Sequence, residues 1–321
     1  NSLVGDLTGN RLRLQALLLE AGDFDVAIVP ELALTGYPPR DLLESKGFMD
    51  HCLAELTALA KAVAHLGPVF VGAPAPAKRH PGLYNAAWLI ESGQARVVAT
   101  KQLLPAYDVF DEPRHFVVGE PMPVLDVSGY RVGVTICEDL WQGTEVDEQG
   151  RYDVSPAVDL APHCDLLINL SASPYRRGRP AERLEQASRL ARTSNCSIVV
   201  VNAVGGNDEL IFDGHSFITD GSRHRMLSGF VEIARQAVEP VLFDDSLELD
   251  RQALVLGLRD YVYKCGAQRV VLGISGGIDS ALVAALAVDA LGADSVLGIA
   301  MPSRFSSERS IVDARRLAEQ L

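Results

Sequence analysis

Three residues in the first half of this 321-residue chain each stand directly after an apolar run. Glu31 follows Val26-Ala27-Ile28-Val29-Pro30, Lys101 follows Arg96-Val97-Val98-Ala99-Thr100, and Cys137 follows Arg131-Val132-Gly133-Val134-Thr135-Ile136. A carboxylate, an ammonium and a thiol at strand ends are the parts of a covalent amide-cleaving site. The carboxylate can take the thiol proton and return it to a leaving amine. The ammonium favours thiolate and stabilises a tetrahedral oxyanion. Taken singly, each has a plainer reading: a lone cysteine is usually a buried hydrophobe, and a lysine or glutamate at a strand end is usually a solvated cap. Sequence spacing does not bring the three together.

A second group lies near the other end. Ser275-Gly276-Gly277-Ile278-Asp279-Ser280 separates the apolar run 269–274 from an apolar stretch of helix length, 281–291, closed by Gly292. A glycine-rich turn between strand and helix aims backbone N–H groups and a helix dipole at an anion. The lysine of a kinase-like phosphate loop is absent. Asp279 takes its place, a residue type suited to Mg²⁺ held alongside phosphate oxygens. Such a loop suits attack at an α-phosphate with pyrophosphate leaving. The plainer reading is an ordinary turn.

These residues need elements to position them. Strands are expected at 26–30, 69–73, 85–90, 96–100, 131–136, 165–170, 197–202 and 215–219, and helices at 11–21, 42–66 and 181–194. Some strands follow one another closely, as in hairpins, and others are joined by helices. The mixture predicts a layered α/β domain with a mixed sheet. The pattern weakens and turns acidic near 230–249. A linker is expected at 236–249, then a helix from about 250 to 265, the strand–loop–helix unit, a strand at 296–301 and a helix from about 307 to 321. One βαβ unit buries one sheet face at best, so the second domain, 250–321, is expected to be incomplete.

Composition narrows the class. Hydrophobic residues make up 48% and charged residues 22%, so a sizeable core is expected. A net charge of −13 disfavours a broad nucleic-acid surface or an anionic membrane partner. Five cysteines, at 52, 137, 164, 196 and 265, include no C-x-x-C pair. A reduced, cytoplasmic setting is therefore expected. No apolar run approaches the ~20 residues that span a bilayer. The first residues, polar and mixed, do not read as a signal peptide.

Pro30-Glu31-Leu32-Ala33-Leu34-Thr35-Gly36-Tyr37, Lys101-Gln102-Leu103-Leu104-Pro105 and Ile136-Cys137-Glu138-Asp139 together resemble the nitrilase/amidase superfamily over residues 1–235. The resemblance implies a four-layer α-β-β-α sandwich with Glu31 as general base, Lys101 stabilising the intermediate and Cys137 as nucleophile. It also implies pairing of copies into a homo-oligomer. Ser275–Ser280 resembles the signature of the ATP pyrophosphatases. That implies the start of a Rossmann-like α/β domain binding ATP through Gly273, Ile274, Ser275, Gly276, Gly277, Ile278, Asp279 and Ser280, with Asp279 a Mg²⁺ ligand. Residues 107–116 and 169–175, with 253–262 and Met301-Pro302-Ser303, resemble the glutamine-dependent NAD synthetases. In that family the positions of Tyr107, Ser173 and Arg179 contact glutamine. An arginine can pair with an α-carboxylate bidentately, although Arg179 also reads as a surface residue of the basic loop 176–179. Glu112 is a further polar candidate without an assigned role.

The resemblance thus implies small-molecule partners only: glutamine, ATP and deamido-NAD. Glutamine would be hydrolysed, its ammonia channelled inside the protein, and deamido-NAD amidated at the cost of ATP. Two rival readings stand beside it. One is a free-standing nitrilase-like amidohydrolase with a vestigial nucleotide loop; the other is a non-catalytic nucleotide-binding scaffold. The resemblance also implies a strand ahead of Gly5, of which the sequence holds little, and deamido-NAD contacts beyond Leu321.

Overall fold

A computed structural model describes residues 1–141, 152–227, 229–230, 247–305 and 307–321. The chain folds as two units, Asn1–Val204 with Phe212–Phe243, and Gly205–Ile211 with Asp244–Leu321.

The first unit begins with α1 (Leu7–Ala21), capped at its start by the Asp6 carboxylate, which accepts from the Gly9 N–H. Then come β1 (Ala27–Ile28), α2 (Lys46–Ala62), β2 (Val69–Pro76), β3 (Leu83–Glu91) and β4 (Gln94–Thr100). These strands form a four-stranded sheet in the order β1-β2-β3-β4, parallel only at β1–β2. The short α3 (Glu112–His115) leads to β5 (Leu125–Val127), β6 (Tyr130–Ile136), α4 (Pro156–Leu160), β7 (Leu166–Ser171), α5 (Arg179–Ser194) and β8 (Ser197–Asn202). A hairpin, β9 (Val204–Asn207) and β10 (Leu210–Asp213), follows, its residues Gly205–Ile211 counted with the second unit, and then β11 (Phe217–Thr219) and β12 (His224–Met226). The second sheet runs β12-β11-β8-β7-β6-β5, with β6, β7 and β8 parallel.

Three cores make four layers. Leu18, Leu56 and Leu59 of the helices pack with Val69, Val71 and Ala73 on one face of the first sheet. The opposite face gives Phe70, Leu89 and Val98 to a core shared with Val132, Val134, Ile136, Ile168 and Leu170 of the second sheet. Leu184, Ala187 and Ala191 of α5 cover that sheet's far side, over Leu167, Ile198 and Val200. Alternation along β2 and β7 sends successive side chains into different cores. The order is helix, sheet, sheet, helix.

Several boundaries differ from the sequence reading. The expected helix 42–66 is a 3₁₀ turn, Arg40–Glu44, and then α2, because Ser45 breaks the run and caps α2 by accepting from the Phe48 N–H. The strand expected at 26–30 narrows to two residues, since Pro30 has no N–H to give a ladder. The expected strand 215–219 begins at Phe217; His215 has a positive φ. The hairpin β9–β10 was not foreseen, as Val204-Gly205-Gly206-Asn207 reads as a loop. Of the expected linker 236–249, positions 236–246 lie outside the described residues, and 247–249 already belong to a helix.

In the second unit, α6 (Leu247–Lys264) precedes β13 (Val270–Gly273), α7 (Ile278–Leu291), β14 (Val296–Ile299) and α8 (Glu308–Gln320). β13 and β14 pair in parallel, so the loop-bearing segment is a βαβ unit. Val262, Ala290 and Leu291 form its small core with Val270 and Val296.

Candidate active site

Each of the three candidate residues sits where its strand ends. Glu31 follows β1 in a turn that runs against Gly72 of β2. A Cβ at Gly72 would lie 2.4 Å from the Leu32 nitrogen and the Pro30 carbonyl oxygen, so the turn lies this close only because residue 72 is glycine. Lys101 leaves β4, its N–H donating to the Asn85 carbonyl at 2.8 Å. Cys137 leaves β6 into the 3₁₀ turn Cys137–Leu140 with φ +44°, a strained backbone of the kind found at functional positions.

The tertiary fold brings these ends together. Lys101 Nζ donates to Glu31 Oε1 at 2.8 Å and to Glu112 Oε1 at 2.7 Å. Asn85 Nδ2 donates to Glu31 Oε1 at 2.7 Å, and the Ala172 N–H donates to Glu31 Oε2 at 2.9 Å. Tyr37 adds its hydroxyl to Glu112 Oε1 at 2.8 Å. Glu31, Lys101 and Glu112 are all buried. Burial opposes the Lys101 ammonium, but Glu112 and Glu31 outweigh it and hold its pKa well above the ordinary lysine value. Burial pushes the Glu112 carboxyl up to about 7. The Cys137 thiol is held well above its ordinary range by burial and by the Glu31 charge, against the opposing pull of Lys101. The resting thiol is therefore protonated, and a base must take its proton when an amide arrives. Glu31 is the carboxylate whose charge bears most on that thiol.

Two neighbours to which the sequence reading gives no role hold this arrangement. Asp139 Oδ1 accepts from the N–H groups of Gln102 and Leu103, both at 2.9 Å, and Oδ2 accepts from the Ile136 N–H at 3.0 Å. One carboxylate thus ties the chain after Lys101 to the chain around Cys137. Burial pushes its pKa up to about 7, although the three N–H donors and Lys101 oppose the shift. The folded protein then binds this proton more tightly than the unfolded chain does. Its stabilising contribution is complete below about pH 4 and is lost as pH rises through 7. Asp139→Asn should therefore destabilise more at pH 5 than at pH 8, the gap between the two values being roughly 2–3 kcal/mol. Urea midpoints of both proteins across that range check it; a constant difference would show that Asp139 stays ionised throughout. Glu112, noted without a role, is the second partner of Lys101. Acidic residues immediately after an apolar strand, as in Cys137-Glu138-Asp139, were the visible signal for Asp139.

Tyr107, Ser173 and Arg179 also reach this region. The Tyr107 hydroxyl donates to both oxygens of Glu138, at 3.0 and 3.1 Å. Ser173 is buried; Asn202 holds its N–H and its carbonyl, and Arg183 Nη1 donates to the same carbonyl at 3.3 Å. Its Oγ has no hydrogen-bond partner among the described residues. Behind it, Arg183 is itself buried and pairs with Asp213, which also meets His215 Nδ1 at 2.7 Å. Arg179 is the first residue of α5, not part of an exposed basic loop. Its guanidinium lies 3.7 Å over the Trp141 ring and is largely buried. Burial lowers its pKa, while the nearby Cys137 and Tyr107 pull the other way.

A carbon-nitrogen hydrolase family model matches residues 1–222. The chain belongs to the carbon-nitrogen hydrolase family. Carbon-nitrogen hydrolases share its sandwich: an amidase from Nesterenkonia sp. superposes with a TM-score of 0.56 at 21% identity, covering 71% of this chain and 86% of that one. Beyond that domain, an NAD synthase model matches residues 251–321. The glutamine-dependent NAD(+) synthetase of Synechocystis sp. is 41% identical over 346 residues, covering all of this chain and 62% of its own length. That of Thermotoga maritima is 34% identical, again over all of this chain and 62% of the relative. The structure of glutamine-dependent NAD+ synthetase from Acinetobacter baumannii in complex with ADP superposes with a TM-score of 0.86 at 34% identity, covering 100% of this chain and 61% of that one. The chain thus spans about three fifths of the length of these relatives.

The second unit carries the glycine loop between β13 and α7. Gly276 has φ +80°, and a Cβ there would lie 2.2 Å from the Ser310 carbonyl oxygen, so only glycine fits. Ser275 Oγ accepts from the Gly277 N–H at 3.2 Å, and Ser280 Oγ accepts from the Ser275 N–H at 3.2 Å. These bonds shape the turn ahead of the α7 N-terminus. A cleft of about 240 Å³ lies beside it, lined by Gly273, Ile274, Ser275, Met301, Pro302 and Ser310 among others. Asp279 stands exposed in the first turn of α7. No group of three His, Cys, Asp or Glu residues that could hold a metal occurs among the described residues. One carboxylate at a phosphate cradle fits a Mg²⁺ whose other ligands are phosphate oxygens and water. No helix among the described residues is long and apolar enough to cross a membrane.

Proposed function

We propose that this chain is the glutaminase and the first part of the synthetase of a glutamine-dependent NAD synthetase. The carrying observation is Lys101 bridging Glu31 and Glu112 in the site of Cys137, on the same chain as a lysine-free glycine loop. The relatives so named, at 34–41% identity over the whole of this chain, support the reading.

In the glutaminase, residues 1–235, Glu31 takes the Cys137 proton as sulfur adds to the glutamine side-chain amide carbon. Lys101 faces the developing oxyanion. Glu31 returns the proton to the nitrogen, the C–N bond breaks, and ammonia and a γ-glutamyl thioester result. Water, deprotonated by Glu31, then hydrolyses the thioester to glutamate and frees the thiol. Glu112 holds Lys101, while Tyr107, Ser173 and Arg179 hold the amino-acid end, with Arg179 on the α-carboxylate.

In residues 250–321, the backbone of Gly273–Ser280 cradles ATP phosphates, and Asp279 holds Mg²⁺, which neutralises phosphate charge when bound. The carboxylate of deamido-NAD attacks the α-phosphate, pyrophosphate leaves, and ammonia displaces AMP to give the amide. Adenylylation is needed because a free carboxylate resists attack by an amine. All five cysteines are free thiols, in keeping with a reducing, cytoplasmic setting. The decisive assay supplies glutamine labelled with ¹⁵N at the amide to the longer protein with ATP and deamido-NAD. The label is expected in NAD, with AMP and pyrophosphate formed in equal amounts. Glutamine hydrolysis with no AMP under any condition would support the amidohydrolase reading instead.

A further inference from the structure

We infer that Asn85 is a positioning residue for amide cleavage: its side-chain amide, together with Lys101, occupies Oε1 of Glu31 and leaves Oε2 as the atom that takes the thiol proton. This inference rests on the glutaminase reading above and deepens it.

Asn85 lies within β3, between Tyr84 and Ala86, and is 1% exposed. Asparagine is disfavoured in strand interiors, and a buried side-chain amide needs partners for both of its ends. Only one end has them here. Nδ2 donates to Glu31 Oε1 at 2.7 Å, while Oδ1 is buried without a hydrogen-bond partner among the described residues. An orphaned amide oxygen is destabilising. The reverse orientation of the amide would set oxygen against oxygen at Glu31, so the carboxylate dictates which end faces it. The main-chain carbonyl of Asn85 accepts from the Lys101 N–H at 2.8 Å. The residue thus holds the base through its side chain and the segment bearing the cation through its backbone.

Counting donors separates the two oxygens of Glu31. Each oxygen of an ionised carboxylate has two lone-pair sites. Oε1 takes Lys101 Nζ at 2.8 Å and Asn85 Nδ2 at 2.7 Å, and both sites are filled. Among the described residues, Oε2 takes only the Ala172 N–H, at 2.9 Å. That same N–H hydrogen-bonds the Cys137 sulfur and favours the thiolate, against the stronger opposing effect of burial. A donor common to Oε2 and the sulfur puts the thiol on the Oε2 side of the carboxylate, where a lone pair is open. The charged and titratable groups facing Glu31 are Lys101 from the end of β4, Glu112 from α3, Tyr37 from the turn after β1, and Cys137. Lys101 is the one cation among them, and Glu112 shares it. Asn85 therefore supplies the Glu31 anion with a second side-chain donor that Glu112 does not draw upon.

The test follows glutamine hydrolysis against pH in the longer protein, unsubstituted and with Asn85→Ala or Asn85→Asp. Alanine removes the donor; aspartate keeps the shape and sets an acceptor against Oε1. At pH 7, kcat should fall roughly 10-fold in Asn85→Ala and roughly 100-fold in Asn85→Asp, the scale of one hydrogen bond to a charged group and of its reversal. KM should stay within about threefold, since Asn85 acts through Glu31 and not on the substrate. The acid limb of the kcat/KM profile should move up by about one pH unit in Asn85→Ala and further in Asn85→Asp, because a carboxylate short of a donor is protonated more readily. A kcat that holds or rises in Asn85→Ala would overturn the inference, since freeing Oε1 would then leave proton transfer unharmed. So would a loss equal at every pH, or one confined to KM; either marks a residue that only packs. Where Asn85→Asp does not fold, Asn85→Ala decides alone. If the unsubstituted protein hydrolyses no glutamine at any pH, the glutaminase reading itself falls and takes this inference with it, a result distinct from an unmoved acid limb.

Discussion

Cys137→Ala is expected to abolish glutamine hydrolysis, by a factor on the order of 10⁴ or more. Without the thiol no thioester forms, and Glu31 and Lys101 have only water to activate against an unreactive amide. In the longer protein that completes the synthetase region, the same substitution should remove NAD formation from glutamine and spare formation from added ammonia. Ammonia already carries the lone pair that attacks the adenylate, so it has no use for the thiol. The comparison needs both nitrogen donors at saturating ATP. Equal loss with the two donors would sink the division of labour between residues 1–235 and the glycine loop. The substitution removes a single sulfur from a buried position, so a urea midpoint near that of the unsubstituted chain is expected and separates lost chemistry from lost fold.

Lys101→Met should have the largest effect on stability. Methionine fills similar volume but leaves Glu31 and Glu112 buried without their shared cation. Removing one partner from a buried ion pair costs about 3–5 kcal/mol. The cost should depend on pH in a definite direction. Glu112 is pushed up to about 7 even with Lys101 present, chiefly by burial. Without the ammonium, the carboxyl pair binds protons still more tightly in the folded state than in the unfolded chain. Protonation therefore relieves the variant as pH falls, and the penalty is greatest at high pH. Chemical denaturation of the two proteins at pH 8 and pH 5 should show the difference narrowing at pH 5. A difference independent of pH would mean that packing, not charge, sets the cost. Glutamine hydrolysis should fall by roughly 10³-fold even where the variant is folded, since the oxyanion loses its cation.

These expectations rest on residues of unequal visibility. Glu31, Lys101 and Cys137 could be picked out because each interrupts an apolar run with a reactive group. A run of four to six apolar residues followed by a charge is a strand reaching the end of its sheet, and that signal is local. Asp139 and Glu138 were written beside Cys137, yet their roles depend on what faces them: backbone N–H groups 36 and 37 positions away for Asp139, and Tyr107 for Glu138. Arg183 and Asp213 were invisible as a pair. An arginine in a helix full of charges reads as solvated, and only the packing of α5 on its sheet buries it. The hairpin β9–β10 was missed because two consecutive glycines carry no strand pattern.

The sequence by itself determined the chemistry available here: a thiol, a base and a cation at strand ends, and a lysine-free glycine loop between a strand and a helix. Only the tertiary structure decided that Lys101 stands between two carboxylates, that Asp139 ties the lysine and cysteine turns together, and that Glu138 is buried among phenols. The reason is physical. Local pattern reports which side chains leave water, because that is set by neighbours in the chain. Which charge meets which is settled by contacts across layers, between residues tens of positions apart, and there burial makes each partner matter most.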